Sequence, residues 1–180
     1  MSQAGLVDRC RELHLVLSDV DGVMTDGSLL FGADGTELKS LNVRDGLGIV
    51  LAHHAGLQTG LVSGRSSEAI ARRAAELGMA VIRQGVADKA AALAQILDDQ
   101  RLSASQVAYM GDDLNDLPVM RMVGLSAAPG DAPREVRERA HLVTRAAGGR
   151  GCLRELFEVI LHNRGAWEGA VSSLGVSLGE

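Results

Sequence analysis

The sequence predicts an α/β fold in which a Rossmann-like parallel sheet is sandwiched by helices, within a single domain spanning residues 1–180. Short apolar runs alternate with longer amphipathic segments, which is the pattern of parallel strands joined by helical crossovers. The length of 180 residues fits one domain with its own core. Hydrophobic residues make up 46% of the chain and charged residues 23%, so the composition is that of a globular protein.

The first half of the chain contains one segment that interrupts the alternation. Residues 28–43 predict a β-hairpin, because apolar residues flank a Gly-containing turn at 32–35. The other elements expected in this half are strands at 13–18 and 60–62 and helices at 46–55 and 67–77. Gly78 follows the second helix and is a residue type that commonly ends one. No stretch is long enough to form a separate lid domain, so the fold is expected to be capless.

The second half of the chain continues the alternation of strands and helices. The strands are expected at 81–82, 107–110, 124–127 and 141–143, and the helices at 87–99, 114–122 and 152–162. The tail at 165–180 is rich in Gly and Ser and is therefore expected to be flexible.

Charge and composition argue against several classes of protein. The formal net charge is −5 and no basic tract occurs, so nucleic acid is not an expected partner. The apolar runs are much shorter than the roughly 20 residues that cross a bilayer, and no signal peptide is recognisable, so no membrane partner is expected. Cys10 and Cys152 lie far apart in the sequence, and a reduced, cytoplasmic compartment is the simplest interpretation.

Acidic side chains follow two of the predicted strands. Asp19 and Asp21 come directly after the strand at 13–18, and Asp112 follows the strand at 107–110. In a parallel sheet, ligands bind beyond the carboxyl ends of the strands. Mg²⁺ prefers oxygen ligands and is commonly held by a few carboxylates together with a substrate phosphate. We therefore expect a magnesium site at this edge of the sheet.

Each acidic cluster also has a plainer interpretation. Asp-x-Asp-Gly at 19–22, taken alone, occurs equally well as a turn that caps a strand. An EF-hand calcium loop does not fit, since Val23 stands where an oxygen ligand is needed and Met24 where glycine is needed. Asp113 and Asp116 are suitable for capping the following helix and for its first turn. The presence of two acidic strand ends favours the metal site.

Two further segments carry groups that suit a phosphate. Ser63, Gly64 and Arg65 place a hydroxyl, a flexible backbone and a guanidinium at another strand end, and Lys89 stands near the start of a helix. Each is unremarkable alone, since an exposed lysine is usually only solvated. Together with the acids they predict a phosphate site with hydroxyl, ammonium and backbone N–H donors.

In combination, these motifs resemble those of the haloacid dehalogenase superfamily of phosphohydrolases. They stand in that family's order, at 19–22, 63–65, 89 and 111–116. The resemblance implies a haloacid dehalogenase-like fold, Mg²⁺ as the cofactor, and phosphatase activity. It implies that Asp19 forms an aspartyl-phosphate and that Asp21 protonates the leaving alcohol and then activates water. The implied residues are Asp19, Asp21, Ser63 and Lys89 for catalysis, Asp19, Asp112 and the backbone carbonyl of Asp21 for the metal, and Asp113 and Asp116 behind them.

Four further segments resemble one capless branch of that superfamily, the 3-deoxy-D-manno-octulosonate 8-phosphate phosphatases. The segments are 21–27, 37–39, 42–49 and 143–151. This resemblance implies hydrolysis of that phosphorylated eight-carbon sugar acid on the route to lipopolysaccharide. It also implies a homotetramer in which the hairpins at 28–43 cover the sites of neighbouring subunits. Two alternatives are a phosphatase for nine-carbon sialic or deaminated neuraminic acid 9-phosphates, which share much of the pattern, and a non-catalytic oligomerising domain.

The residues expected to contact the substrate follow the catalytic motifs or lie in the segments of the closer resemblance. Arg44 is expected to hold the sugar carboxylate or to close over the phosphate, because a guanidinium fork suits either group. A salt bridge of Arg44 with Asp45, or of Arg65 with Glu68, is the alternative. The stretch around Arg150 suits a basic flap or a plain linker. The full set is Thr25, Gly27, Asn42, Arg44, Asp45, Gly46, Gly64, Arg65 and Arg150.

Overall fold

The computed structural model describes residues 3–177. The strands are β1 (Leu15–Ser18), β2 (Leu30–Phe31), β3 (Glu37–Leu38), β4 (Gln58–Val62), β5 (Val81–Arg83), β6 (Val107–Met110), β7 (Leu125–Ala128) and β8 (Leu142–Val143). The helices are α1 (Gln3–Glu12), α2 (Val43–His54), α3 (Glu68–Glu76), α4 (Lys89–Gln100), α5 (Leu117–Met120), α6 (Arg134–Arg137), α7 (Cys152–Arg164) and α8 (Trp167–Ser172). Short 3₁₀ turns at Ala104–Gln106 and Leu114–Asp116 precede β6 and α5.

Six strands form one parallel sheet in the order β5-β4-β1-β6-β7-β8. β1 lies between β4 and β6, and its last residue, Ser18, is level with Leu61 of β4 and Met110 of β6. The loops that follow these three strands therefore begin side by side at one edge, where open parallel sheets bind their ligands. The parallel sheet flanked by helices that the sequence predicts is confirmed.

A separate apolar core covers each face of the sheet. On one face Val16 packs with residues of α2 and α7, including Ile49 and Phe157. On the other face Leu17 and Tyr109 pack with residues of α4 and α5. Burial on both faces explains why the central strands read as nearly continuous apolar runs in the sequence.

The segment predicted as a hairpin contains only a short ladder. β2 and β3 pair antiparallel over two residues each. Val43, expected at the end of the hairpin, is instead the first residue of α2, so this helix begins before the predicted position 46. The reason is a local cap: the side chain of Asn42 accepts a hydrogen bond from the N–H of Arg44.

The helices also differ from the prediction in other places, and the short helix α6 was not predicted. The helix expected at 114–122 is a 3₁₀ turn followed by α5, because Pro118 lacks an N–H and suits the start of a new helix. α1 was not predicted, and it packs against α7 with Cys10 buried. α8 lies in the tail that was expected to be flexible, and its residues Ala170 and Val171 are buried in the core. Residues 178–180 of the tail lie outside the described part. Within residues 3–177 no helix is long and apolar enough to cross a membrane.

Candidate active site

Asp19 is the first residue beyond β1, and its side chain is almost fully buried at the edge of the sheet. Its backbone N–H donates to the carbonyl of Met110 at 2.9 Å, which extends the contact between β1 and β6. Oδ1 accepts the N–H of Val20 at 2.7 Å, and Oδ2 lies 2.8 Å from Nζ of Lys89. Both carboxylate oxygens of Asp19 are therefore held in a fixed orientation.

Lys89 is the first residue of α4, and its side chain is only 4% exposed. Asp88 fixes the start of this helix by accepting two backbone N–H groups of the first turn. Nζ of Lys89 lies 2.8 Å from Asp19 and 2.7 Å from Asp116. Burial disfavours the charge of Lys89, yet the two carboxylates outweigh it and raise the pKa of the ammonium group. Lys89 is therefore a permanent cation beside Asp19.

Asp116 is fully buried and organises the groups around it. Its Oδ1 accepts hydrogen bonds from Lys89 and from the hydroxyl of Tyr109, both at 2.7 Å. Its Oδ2 accepts the backbone N–H groups of Asp112 at 3.0 Å and Asp113 at 3.3 Å. Each oxygen has two acceptor directions, and both are used. Asp116 therefore positions Lys89 and the acidic loop and has no acceptor capacity left for an ion.

Asp112 has the opposite character, because one of its oxygens is buried and unpaired. Among residues 3–177, Oδ1 of Asp112 has no hydrogen-bond partner. The other side of the carboxylate lies against Gly22, whose φ of +95° is in the region that favours glycine. A methyl group on Gly22 would come within 2.0 Å of Oδ2. The backbone of the loop after β1, which we call the first acidic loop, is therefore in direct contact with Asp112, and only glycine leaves room for this contact.

These groups fit a hard divalent cation. Oxygens of Asp19, Asp112 and Asp116 lie within 4.8 Å of one another. With Asp116 saturated, Asp19 and Asp112 are the carboxylates that remain for a metal, and the unpaired buried oxygen of Asp112 is a ligand in need of a partner. An acidic group able to bind a metal, as the sequence predicts, is therefore present.

Electrostatics support the same interpretation. Burial first, and then the charge of Asp116, raise the pKa of Asp19 to about 6. Burial first, and then the charges of Asp19 and Asp116, raise the pKa of Asp112 to about 7. Carboxylates crowded in this way are destabilised as anions unless a cation joins them.

A cleft of about 160 Å³ opens beside these carboxylates. Ser63 follows β4, and its Oγ accepts the N–H of Arg65 at 3.2 Å. Within residues 3–177 its hydroxyl donates to no side chain or carbonyl, so the hydrogen is available to a ligand. Asp113 caps the 3₁₀ turn by accepting the N–H of Leu114, as its plainer interpretation predicted, and it also faces the cleft. The lining residues are Asp19, Asp21, Ser63, Gly64, Arg65, Asp112, Asp113 and Asn115.

Asp21 is surrounded by two cations that arrive from different elements. Nζ of Lys39, just after β3, forms an ion pair with Oδ1 of Asp21 and lies 3.3 Å from Glu37. Arg65 places Nε 3.6 Å from Oδ2 of Asp21 and Nη2 2.6 Å from the carboxylate of Glu37. The predicted alternative partner of Arg65, Glu68, is therefore replaced by Glu37. No sequence pattern assigns a role to Lys39 or Glu37, and their only signal is their place in the Glu-Leu-Lys segment at 37–39.

Several residues expected to bind the substrate lie outside the cleft of their own chain. Thr25 is buried, and its Oγ1 accepts the N–H of Gly27 at 3.2 Å, within the loop. Asn42 caps α2, and Gly46 packs against Arg73. Their contact with substrate stays a prediction.

The acidic residue Asp45 has a structural partner that the sequence did not reveal. Its carboxylate is buried and accepts the backbone N–H of Arg154 at 2.8 Å in the first turn of α7. Arg44 therefore does not pair with Asp45 in the described part of the chain. Instead Arg44 lines a second cleft of about 730 Å³ together with Arg145, Arg150 and Arg154.

The Gly-rich stretch before α7 is packed onto the first acidic loop. Gly149 donates its N–H to the carbonyl of Val23 at 2.8 Å, and a methyl group on Gly148 would lie 1.9 Å from the carbonyl of Gly22. Arg150 extends from this stretch to Asp26 at 3.1 Å. The backbone at 148–149 is thus a close support for the acidic loop.

The sequence of the chain is similar to those of known proteins. Residues 78–156 match the family of haloacid dehalogenase-like hydrolases. The chain is 42% identical over 165 residues to the 3-deoxy-D-manno-octulosonate 8-phosphate phosphatase KdsC of Yersinia pestis, covering 92% of this chain and 88% of the relative. It is 40% identical to KdsC of Escherichia coli K12, covering 90% and 86%.

A solved structure resembles the whole domain. The 3-deoxy-D-manno-octulosonate 8-phosphate phosphatase of Moraxella catarrhalis, in complex with magnesium ion, phosphate ion and KDO, superposes with a TM-score of 0.92 at 32% identity. The match covers 96% of this chain and 99% of the other. The fold and site define a class of metal-assisted phosphohydrolases. The chain belongs to the haloacid dehalogenase-like hydrolases and, within them, to the family of 3-deoxy-D-manno-octulosonate 8-phosphate phosphatases.

Proposed function

We propose that the chain hydrolyses 3-deoxy-D-manno-octulosonate 8-phosphate to the free sugar acid and phosphate, a step in making lipopolysaccharide precursors. The observation that carries this proposal is that Asp19 and Asp112 line one cleft, with the ammonium group of Lys89 2.8 Å from Asp19. They occur in a chain that aligns over nearly its full length with phosphatases of that name. The Moraxella neighbour holds the cation, the phosphate and the sugar acid that this reaction involves.

The first step is a displacement at phosphorus. An oxygen of Asp19 attacks the phosphorus atom, the bond from phosphorus to the sugar oxygen breaks, and Asp21 donates a proton to that oxygen. Asp19 then carries the phosphoryl group as an aspartyl-phosphate. Lys89 offsets the repulsion between the carboxylate and the phosphate, since its ammonium group is fixed 2.8 Å from Asp19.

The second step returns Asp19 to its starting form. Water attacks the phosphorus atom, Asp21 accepts a proton from it, and the bond from phosphorus to Asp19 breaks. Ser63 suits the binding of a phosphate oxygen in both steps, because its hydroxyl hydrogen is free. Splitting the hydrolysis into two displacements lowers each barrier.

Mg²⁺ is the cofactor that these residues suit. Asp19, Asp112 and the backbone carbonyl of Asp21 would hold it. When bound, it supplies neutralising charge for the carboxylates and for the transferring phosphoryl group. Asp116 and Asp113 hold the acidic loop behind them.

The eight-carbon sugar acid is favoured over the nine-carbon alternative. The relatives and the neighbour described above carry the eight-carbon name. A non-catalytic domain is disfavoured because the acids, the serine and the lysine are all retained and converge at one edge of the sheet.

The test is a substrate panel. Phosphate release is measured from sugar acid phosphates of eight and nine carbons, with Mg²⁺ and after chelation. The proposal expects a higher kcat/KM for the eight-carbon substrate and no turnover after chelation. A preference for the nine-carbon acid would assign the chain to the alternative, and no turnover of either would remove the proposal.

Assembly as a homotetramer, in the cytoplasm, completes the proposal. Four apolar side chains in or next to the short ladder are exposed: Leu29 49%, Leu30 50%, Phe31 62% and Leu38 55%. Such a patch favours cover by another chain. Assembly would also give Arg44 and Arg150, which lie outside the cleft of their own chain, access to a neighbour's cleft.

Light scattering tests the assembly. Phe31→Asp is expected to reduce the measured mass toward that of one chain. Met122→Asp changes an apolar, 42% exposed residue outside the ladder and is expected to leave the mass unchanged. A monomeric unmodified protein at micromolar concentration contradicts the tetramer.

A further inference from the structure

The side chain of Lys39 is buried although the residues on either side of it, Leu38 and Ser40, are exposed. Its side chain is 1% exposed, whereas the adjacent Leu38 is 55% exposed. A lysine side chain loses rotamer freedom and hydration when it is buried, so its burial is stable only where its charge is well paired. Here the ammonium group pairs with Asp21, in the active-site cleft.

The pair belongs to a closed set of four charges. Lys39 contacts Asp21 and lies 3.3 Å from Glu37; Glu37 accepts from Arg65 at 2.6 Å; and Nε of Arg65 lies 3.6 Å from Asp21. Two positive and two negative groups therefore alternate around a ring. Of the four, Asp21 and Arg65 line the cleft, whereas Lys39 and Glu37 stand behind them.

The two oxygens of Asp21 have different partners in the ring. Oδ1 is held directly by the ammonium group of Lys39. Oδ2 has only the longer ion-pair contact with Arg65. Lys39 thus holds one oxygen of the carboxyl group, and the other oxygen has the more distant partner.

We propose that Lys39 is a positioning residue that fixes the carboxyl group of Asp21 for proton transfer to the leaving oxygen. Glu37 holds Lys39 and Arg65 in place beside Asp21. This inference rests on the proposed phosphatase activity. It adds a role for the segment around β3 within its own chain: Lys39 acts on the site of the chain that carries it.

The chemistry supplies a specific readout. A sugar alkoxide is a poor leaving group and needs the proton from Asp21 as the bond to phosphorus breaks, whereas 4-nitrophenolate leaves without it. The parameter kcat/KM covers the steps up to formation of the aspartyl-phosphate, so the second displacement does not affect it. Aryl phosphates carry no sugar carboxylate, so their kcat/KM is also independent of sugar binding.

The experiment compares the unmodified protein with Lys39→Met on aryl phosphates, from 4-nitrophenyl to phenyl to 4-methoxyphenyl. The proposal expects kcat/KM for 4-nitrophenyl phosphate to change less than about threefold, and for the poorest leaving group to fall about 10- to 100-fold, within the range that general acids contribute. Lys39→Arg, which keeps a donor and a charge, is expected to recover part of this loss. An equal loss across the series would assign Lys39 to substrate binding or to folding and overturn the proposal.

Two further variants keep the test decisive. Glu37→Gln is expected to change the leaving-group dependence in the same direction but less, and it carries the test if Lys39→Met does not fold. Arg72→Ala breaks the exposed pair of Arg72 with Glu76 on α3 and is expected to leave the dependence unchanged. An unmodified protein that is active on aryl phosphates but inactive on sugar acid phosphates would contradict the proposed substrate and leave this inference standing.

Discussion

The α-carbon of Gly22 lies against the carboxylate of Asp112, so close that one added methyl group would come within 2.0 Å of Oδ2. The two residues come from loops after different strands, β1 and β6. Their contact sets how near the two acidic clusters of the sequence come to each other.

Gly22→Ala is expected to weaken Mg²⁺ binding by displacing Asp112. It also strains a backbone with φ of +95°. Gly35→Ala is the matched control, because Gly35 has a φ of +82° but nothing within 4 Å of an added methyl group. Calorimetric titration with Mg²⁺ should show weaker binding for Gly22→Ala than for the unmodified protein, and unchanged binding for Gly35→Ala. Equal affinities in the two variants would show that the contact with Asp112 has no effect on the metal site.

Asp19→Asn is expected to abolish phosphate release, by roughly 10³-fold or more in kcat, because the amide lacks the nucleophilic carboxylate. The circular dichroism spectrum should stay that of the unmodified protein. Asp99→Asn, which changes an exposed partner of Arg83, is the control and should keep full activity. Near-normal turnover by Asp19→Asn would contradict the covalent mechanism.

The stabilising effect of Mg²⁺ is expected to increase with pH. The pKa values of Asp19, about 6, and of Asp112, about 7, lie above the ordinary value of 3.8. At pH values between 3.8 and these raised pKa values, the folded metal-free protein therefore binds more protons than the unfolded chain. The contribution of these groups to stability is therefore present at low pH and is lost as the pH rises through about 6 to 7. Mg²⁺ requires the ionised carboxylates and restores the loss.

Thermal unfolding with and without Mg²⁺, from about pH 5 to about pH 8, measures this increment in Tm. Asp112→Asn should flatten its dependence on pH, since the group with the higher pKa is removed. An increment that is already maximal at the acidic end would contradict the assignment of these two carboxylates to the metal.

Asp116 does not line the cleft, yet Asp116→Asn is expected to lower kcat. The amide removes the charge that helps to hold Lys89 and can no longer accept all four hydrogen bonds of the carboxylate. Tyr109→Phe removes one of these bonds and is expected to have a smaller effect in the same direction. Steady-state kinetics for both variants check the order, and an unchanged kcat in Asp116→Asn would show that Lys89 needs no second carboxylate.

Asp45→Ala is expected to destabilise the fold by about 1–3 kcal/mol, since α7 loses a buried acceptor for its first turn. Asp34→Ala removes an aspartate from an exposed turn and should cost less. Denaturant unfolding measures both variants. If Asp45→Ala raises KM without lowering stability, the sequence-based prediction that Asp45 contacts substrate is favoured over the capping role.

The parts of the site that the sequence predicted are those fixed by local pattern. Asp19 and Asp112 were found because each comes within two residues of the end of an apolar strand, and parallel strands bring such residues to one edge. Lys39 and Glu37 were missed because their partners, Asp21 and Arg65, lie far away in sequence and no periodicity joins them. The cap that Asp45 provides for α7 was missed for the same reason. α8 was missed because burial of Ala170 and Val171 outweighs the low helix propensity of a Gly- and Ser-rich tail.

The two apolar cores have a consequence for how the chain loses activity. Lys89 begins a helix that packs on one face of the sheet, and Gly148 and Gly149, which support the acidic loop, lead into a helix that packs on the other. Neither core alone can assemble the cleft. Loss of turnover in denaturant should therefore coincide with cooperative unfolding of the whole domain, and a half-folded chain should contribute no residual catalysis.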